Sequence, residues 1–209
     1  MFYPLLNCEL SFIFATMKKA VADFNTYITQ FDYSWLIDFM EQNGTLVQYR
    51  RNEPFCVAGK SCKALGYIRS GAFVYAAHDT AANRHVVGYA FENSFVGDYA
   101  AFRLKGLANV DINALYDSEV YVLTIEKFNQ FITQHPDIRE QLLRITEILY
   151  SEIYQRLIAT YTRTAEERYA EILHRCPDIF HHTTAKDLAS YLQITPETLS
   201  RIRRKMKEQ

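Results

Sequence analysis

No two of the four cysteines stand as a CxxC pair, and no histidine lies at zinc-ligand spacing from them. The sequence therefore gives no support to a structural zinc site. Cys8, Cys56, Cys62 and Cys176 read instead as buried free thiols of a cytosolic protein, although Cys56 and Cys62 are near enough in sequence to meet across strands. There is no HxH pair, no nucleophile elbow and no glycine-rich phosphate loop, which removes the usual signatures of metal-dependent, acyl-transfer and nucleotide-hydrolysing enzymes. No segment is of low complexity and no period repeats, so a solenoid is excluded. The apolar N-terminal stretch MFYPLLNCELSFIFA carries Asn7 and Glu9 and lacks a basic leader. It is too short to span a bilayer and does not read as a signal peptide, so the expected location is the cytoplasm, away from the membrane. Met17, followed by Lys18 and Lys19, is a second candidate translation start.

What is present is a chain of 209 residues, 49% hydrophobic and 22% charged, enough to bury a sizeable core. Fifteen Tyr and fourteen Phe favour strands over a helical bundle. The net charge of −1 hides an asymmetry, because Thr184 to Gln209 holds six Lys/Arg against three Asp/Glu. Affinity for nucleic acid is thereby confined to one end.

Along the chain, YSWLIDFMEQ has a helical pattern. From Thr45 to about Thr124 short alternating runs (LVQYR, FCVAG, ALGYIRSG, AFVYAA, HVVGYAF, EVYVLTI) predict an antiparallel sandwich or barrel, with DTAANR as a hairpin loop. Past Pro136 a helix of some 25 residues follows. Ile138, Leu142, Ile145 and Leu149 step 4-3-4 as in a coiled-coil seam, and Ile153 and Leu157 continue it with a drift. This seam is the expected homodimer contact, since a DNA reader gains specificity from two half-sites. The alternative is a helix packed wholly within its own chain. Thr164 to Glu167 forms a capping box opening a further helix to about Arg175, after which Ile179 to Thr183 reads as an extended link.

The last stretch, TAKDLASYLQITPETLSRIR, reads as a helix-turn-helix. Leu188 and Leu192 lie one turn apart with Ala189 between them, Gln193-Ile194-Thr195 makes the turn, and Thr195 caps a second helix whose first residue is Pro196. Leu199, Ile202 and Met206 are expected to face the core. Glu197, Ser200, Arg201 and Arg204 would share the opposite face, the one a major groove meets. An Arg matches guanine O6 and N7 and a Glu can accept from the cytosine amino group. Thr195 and Thr198 open this helix, and Arg203, Arg204, Lys205 and Lys207 would serve phosphates.

A β-domain, a long helix and a C-terminal helix-turn-helix in that order resemble the Crp/Fnr family of bacterial transcription regulators. The sharpest match is Glu197-Thr198-x-Ser200-Arg201, similar to the E-T-x-S-R signature of the Fnr branch. The resemblance implies an α+β fold with an N-terminal antiparallel β-roll of the cyclic-nucleotide-binding kind, and a TTGA-like half-site read by Glu197, Ser200 and Arg201. It divides the chain into an N-terminal extension (1–30), a sensor domain (31–134), a dimerisation helix (135–162) and a DNA-binding domain (163–209). The family's phosphate cassette would correspond to FVGDYAAFRLKGLANVDINAL, placing Gly97, Asp98, Tyr99, Arg103 and Asn109 at an effector pocket. Asp98 stands where nucleotide-binding members have Glu, and Ala108-Asn109 where they have the Arg that meets the phosphate. A cyclic phosphate buried without that cation would lose the charge-assisted bonds that offset its desolvation, so tight cyclic AMP binding is not expected. The cysteines do not resemble the cluster ligands of iron–sulfur members, and a lone histidine is more often a core or surface residue than a haem ligand. Family members often continue into a β-hairpin wing, whose backbone contacts would here be missing or fall to the His181-His182-Thr183 side. The expected partners are duplex DNA, a second copy of the chain, an unidentified small-molecule effector and, if the protein activates, RNA polymerase. Two other readings remain: a cupin-like β-barrel enzyme, which requires a metal-ligand cluster, and a constitutive DNA-binding dimer with no effector.

Overall fold

A computed structural model describes residues 24, 25 and 32–208. Apart from Phe24 and Asn25, the expected N-terminal extension, with Cys8 and Met17, lies outside the described residues. Helix α1 (Ser34–Asn43) leads into eight strands: β1 (Thr45–Tyr49), β2 (Pro54–Cys56), β3 (Ala64–Ser70), β4 (Ala72–His78), β5 (Arg84–Phe91), β6 (Phe95–Val96), β7 (Asp111–Ala114) and β8 (Ser118–Thr124), with the short helix α2 (Tyr99–Leu104) between β6 and β7. All pairings are antiparallel, in two four-stranded sheets of order β1-β8-β3-β6 and β2-β7-β4-β5. The expected roll is present. The brief β6, β7 and α2 were not legible as separate elements.

The strands alternate because one side of each pleat must face the opposite sheet. Ile68, Phe73, Val96, Ile112 and Val120 meet there with no more than 4% of their surface exposed. Two turns shape the roll. Gly71 adopts φ +107°, a left-handed conformation that lets the chain pass from β3 in one sheet into β4 in the other against Ser118, whose hydroxyl accepts the Ala72 N–H at 3.2 Å. In the DTAANR loop the Asp79 carboxylate accepts the amides of Ala81 and Asn83, both at 2.9 Å, so the hairpin is tied at its tip.

Helix α3 (Ile125–Gln134), capped by Thr124, is followed by α4 (Ile138–Thr162). The first half of α4 corrects the dimer expectation. Ile138, Leu142 and Ile145 are buried against Leu36, Met40, Leu123 and Phe128 of their own chain, and Leu149 packs partly on the same cluster. A seam already covered by α1, α3 and β8 is not available to a partner. Further along, Ile153 and Leu157 are exposed together with Leu143, Tyr150, Tyr154 and Tyr161. No helix among the described residues is long and apolar enough to cross a membrane.

Helix α5 (Ala165–Arg175) opens with the expected capping box. The Thr164 hydroxyl accepts from Glu167 N at 3.2 Å and the Glu167 carboxylate accepts from Thr164 N at 2.7 Å. The link after it is not extended. Ile179–His182 forms a helical turn, α6, which lets Ile179 reach complete burial while the Thr183 N–H bonds back to the Ile179 carbonyl. Helices α7 (Ala185–Tyr191) and α8 (Pro196–Lys207) complete the chain.

Candidate DNA-reading helix and sensor cavity

The pair α7–α8 forms where the sequence predicts. Thr184 and Thr195 cap the two helices, each hydroxyl accepting an amide in the first turn, and Gln193 at φ +58° reverses the chain between them. Leu188, Ala189, Leu192, Leu199 and Ile202 are buried at the crossing. Helical spacing then turns Glu197, Ser200, Arg201 and Arg204 outward; all four are exposed, as is Thr195, while Thr198 is half-buried beside the cap. Hydrogen bonds from its own backbone N–H and from the Thr195 side chain hold the Glu197 carboxyl below the usual carboxylate range, so it is an anionic acceptor at neutral pH.

Three expectations on this helix need correction. Met206 is not in the core but 38% exposed, because α8 extends past the surface that α7 covers. Arg203 is not a free phosphate ligand, since its guanidinium lies 3.9 Å from the centre of the Phe180 ring. The Lys205 ammonium is paired with Glu166 of α5 at 2.8 Å. Arg201 and Arg204 keep exposed guanidinium groups outside any ion pair among the described residues.

The helix-turn-helix is docked on the roll. Arg84 meets Asp187 at 2.6 Å, Val86 N donates to Ser190 Oγ at 2.9 Å, and the Tyr89 and Thr183 hydroxyls share a hydrogen bond of 2.9 Å. Val74, Val86, Tyr89 and Phe91 from the sheet join Ile172, Ile179, Leu188 and Ile202 in one continuous core. His182 bonds through Nδ1 to the Tyr116 hydroxyl and through Nε2 to Asp178, and Thr183 is buried. Of the segment expected to supply extra backbone contacts to DNA, only His181 remains exposed. These contacts join residues up to 104 positions apart, and no local pattern marks them.

An open cavity of about 1060 Å³ lies between the roll, α4, α5 and the turn that joins α7 to α8. Gly97, Asp98, Tyr99 and Asn109 line it, as the cassette reading expects. Gly97 N donates to the Tyr75 hydroxyl at 3.1 Å. The Asp98 carboxylate caps α2 through Ala101 N at 3.0 Å and accepts Asn109 N and Nδ2 at 2.8 and 3.1 Å, so it holds the cassette closed on itself. Arg103 does not line this cavity: it turns to α3, donating to Asn129 Oδ1 at 3.1 Å and covering the Phe128 ring. Ala108 is buried where the family's phosphate-binding Arg would be. The sequence reading missed the far end of the cavity, where Arg163, Arg168 and Arg175 stand beside Glu171 and α8's turn. Arg163 and Arg175 pair with Glu171, and Arg168 donates to the carbonyls of Arg163 and Leu192. Among the described residues no three His, Cys, Asp or Glu side chains gather to hold a metal ion, the cluster a cupin-like enzyme requires.

The family described as "Cyclic nucleotide-binding domain" matches residues 46–135, from β1 through α3. The transcriptional regulatory protein btr of Bordetella pertussis is 22% identical over 146 residues, which span 65% of this chain and 60% of that protein's length. Among solved structures, FixK2 from Bradyrhizobium japonicum superposes with a TM-score of 0.69 at 15% identity, covering 79% of this chain and 85% of the other. The c-di-GMP-responsive global regulator CLP of Xanthomonas campestris gives 0.59 at 16% identity, over 85% and 92%. These structural likenesses show the shared fold. Residues 46–135 thus carry the cyclic nucleotide-binding domain, and the roll, the long helix and the capped helix-turn-helix follow one another as in the fold of these solved structures.

Proposed function

We propose that the protein is a homodimeric, DNA-binding transcription regulator that reads a pseudo-palindromic operator with TTGA-like half-sites and is governed by an effector other than cyclic AMP. One observation carries this reading: the outward face of α8 presents Glu197, Ser200 and Arg201 together while Leu199 and Ile202 fix that helix from behind. Arg201 supplies the fork that fits a guanine edge, and the ionised Glu197 accepts from an amino group nearby. Ser200 lies between them. Arg204 supports the duplex through phosphate. The Lys205 ammonium, tied to Glu166, reaches phosphate only by leaving that pair.

The effector, in this reading, occupies the cavity bordered by Gly97, Asp98, Tyr99 and Asn109, whose far wall belongs to the DNA-binding helices. A ligand touching both walls would bias how the helix-turn-helix sits on β5, which is the differential contact a population shift requires. Dimer contact falls to the exposed Tyr150, Ile153, Tyr154 and Leu157.

A fluorescence-anisotropy salt series tests the DNA assignment. Arg201→Ala should cost roughly 1–3 kcal/mol per half-site on a selected operator and little on a scrambled duplex. Arg204→Ala should weaken both duplexes alike and flatten the salt dependence by about one unit per contact. Equal losses on both duplexes for Arg201→Ala would remove that residue from base readout.

A further inference from the structure

We propose that Phe24 and Asn25, from the segment before α1, form a clasp that holds the helix-turn-helix docked on the roll and so positions α8 for DNA. Phe24 belongs to neither the roll nor the helices after it, yet only 3% of its surface is exposed. Its ring stands edge-on to Tyr89 and Phe91 of β5, with centres 5.6 and 5.3 Å apart. The positive edge of one ring on the negative face of another favours this arrangement. On its other side the ring tilts against Tyr191, the last residue of α7, at 5.7 Å. Ile172 of α5 and Cys176 just after it complete the same buried cluster. One side chain thereby joins the sheet to the DNA-binding helices.

Polar contacts latch the clasp on both sides. Asn25 Nδ2 donates to the Tyr89 carbonyl at 3.0 Å. The Arg175 guanidinium lies 6.0 Å from the centre of the Phe24 ring and donates through Nη1 to the Phe24 carbonyl at 3.3 Å. Its Nη2 faces Glu171, which pairs in turn with Arg163, the residue that caps the end of α4. The clasp is therefore tied to β5 and to the joint between α4 and α5, about which the DNA-binding helices would swing. Arg84 secures the first turn of α7 through Asp187, and Phe24 secures the last through Tyr191. With both ends held, α7 cannot pivot on either contact alone.

The direction of the effect follows from the exposed face of α8. With the clasp in place Glu197, Ser200 and Arg201 remain outward, so Phe24 does not cover the reading face. It removes freedom from the helices that carry that face, and part of the ordering cost of binding is already met before the duplex arrives. Release should therefore weaken DNA binding. Phe24 and Asn25 also line the cavity, which puts the clasp within reach of a molecule held there. The clasp itself rests only on these contacts, whereas its consequence for DNA rests on the DNA-reading proposal.

Amide hydrogen exchange on the full chain tests the clasp. In Phe24→Ala the amides of α7 should exchange about tenfold faster or more, because a local opening has lost a tie, while β3 and β8 in the opposite sheet keep their protection. Phe24→Leu keeps apolar bulk without the ring, so it should fall between the two and gives the same ordering where the alanine variant does not fold. Unchanged exchange in α7 would overturn the clasp. Equal acceleration in β3 and β8 would overturn it too, by making Phe24 a general core residue. Fluorescence anisotropy on a selected operator then reads the consequence, and Phe24→Ala should bind about tenfold more weakly. A gain in affinity, or no change alongside faster exchange, would overturn the positioning role. A wild type that binds no duplex would sink the DNA-reading proposal and leave exchange to decide the clasp.

Discussion

Replacing Ile153 and Leu157 together by glutamate should dissociate the proposed dimer while leaving the monomer folded. In the single chain these side chains are 62% and 51% exposed and lie one turn apart on the uncovered half of α4. Full burial of an Ile or Leu contributes about 1.5–3 kcal/mol, so covering half to two-thirds of each is worth about 1–1.5 kcal/mol. Two residues on each of two helices give about 4–6 kcal/mol. Allowing for imperfect contact at the seam's edges, a loss of about 4 kcal/mol corresponds to roughly a thousandfold rise in the dissociation constant. Carboxylates held against an apolar partner add a further penalty. Sedimentation velocity across nanomolar to tens of micromolar protein measures the constant, and thermal unfolding checks the fold. The contrasting variant is Leu142→Ala. Its side chain is 8% exposed and packed on its own roll, so it should cost about 2–5 kcal/mol of stability and leave the dissociation constant of the folded protein unchanged. A wild-type monomer at micromolar concentration, or a dimer indifferent to the paired glutamates, would refute the reasoning.

Calorimetry with cyclic AMP and cyclic GMP should show no binding tighter than ~100 μM, about −5.5 kcal/mol, because Ala108 supplies no cation and Arg103 is turned to α3; saturable micromolar binding would show that another group meets the phosphate. Thr164→Ala should cost about 1 kcal/mol by removing the α5 cap. Two hydrogen bonds from Thr164, its backbone N–H first and then its hydroxyl, depress the folded pKa of Glu167, so that stabilisation is complete above the ordinary carboxylate pKa and is lost as pH falls through the folded value. The melting temperature of the wild type, followed from about pH 6 down to about pH 3, should therefore include an acid loss that is smaller in Thr164→Ala, which keeps the backbone N–H but not the hydroxyl. Gly71→Ala forces a side chain into φ +107° and onto Ser118, so urea unfolding should show a loss above about 2 kcal/mol; a near-neutral result would mean that the β3–β4 turn relaxes freely.

The parts of the molecule legible in the sequence are those whose cause is local. Thr164 and Thr195 each announce a helix start because a hydroxyl must satisfy an amide a few residues on, and both do so. The β4–β5 hairpin follows from Asp79 in the same way. The outward face of α8 needs only the helical period. Where the expectation failed, the deciding partner is distant in sequence. Arg203 and Lys205 look like phosphate ligands until Phe180 and Glu166 are brought alongside, and the dock of α7 on β5 rests on Arg84, Val86 and Tyr89, which carry no mark of it.

Helix α4 shows the limit most clearly. Its apolar positions fall on two faces, one through Ile138, Leu142 and Ile145, the other through Leu143, Tyr150, Leu157 and, offset within the same heptads, Tyr154 and Tyr161. Periodicity reveals a helix with more apolar surface than one neighbour hides, but both faces satisfy the same seven-residue rule. What separates them is how far the roll extends along the helix. At about 1.5 Å per residue the 25-residue helix is close to 38 Å long, and α1 and α3 shield only its first turns. Beyond them the Tyr150 and Tyr154 rings lie parallel with centres 5.9 Å apart and stay 67% and 49% exposed among the described residues, which directs the search for a partner to the second half of the helix.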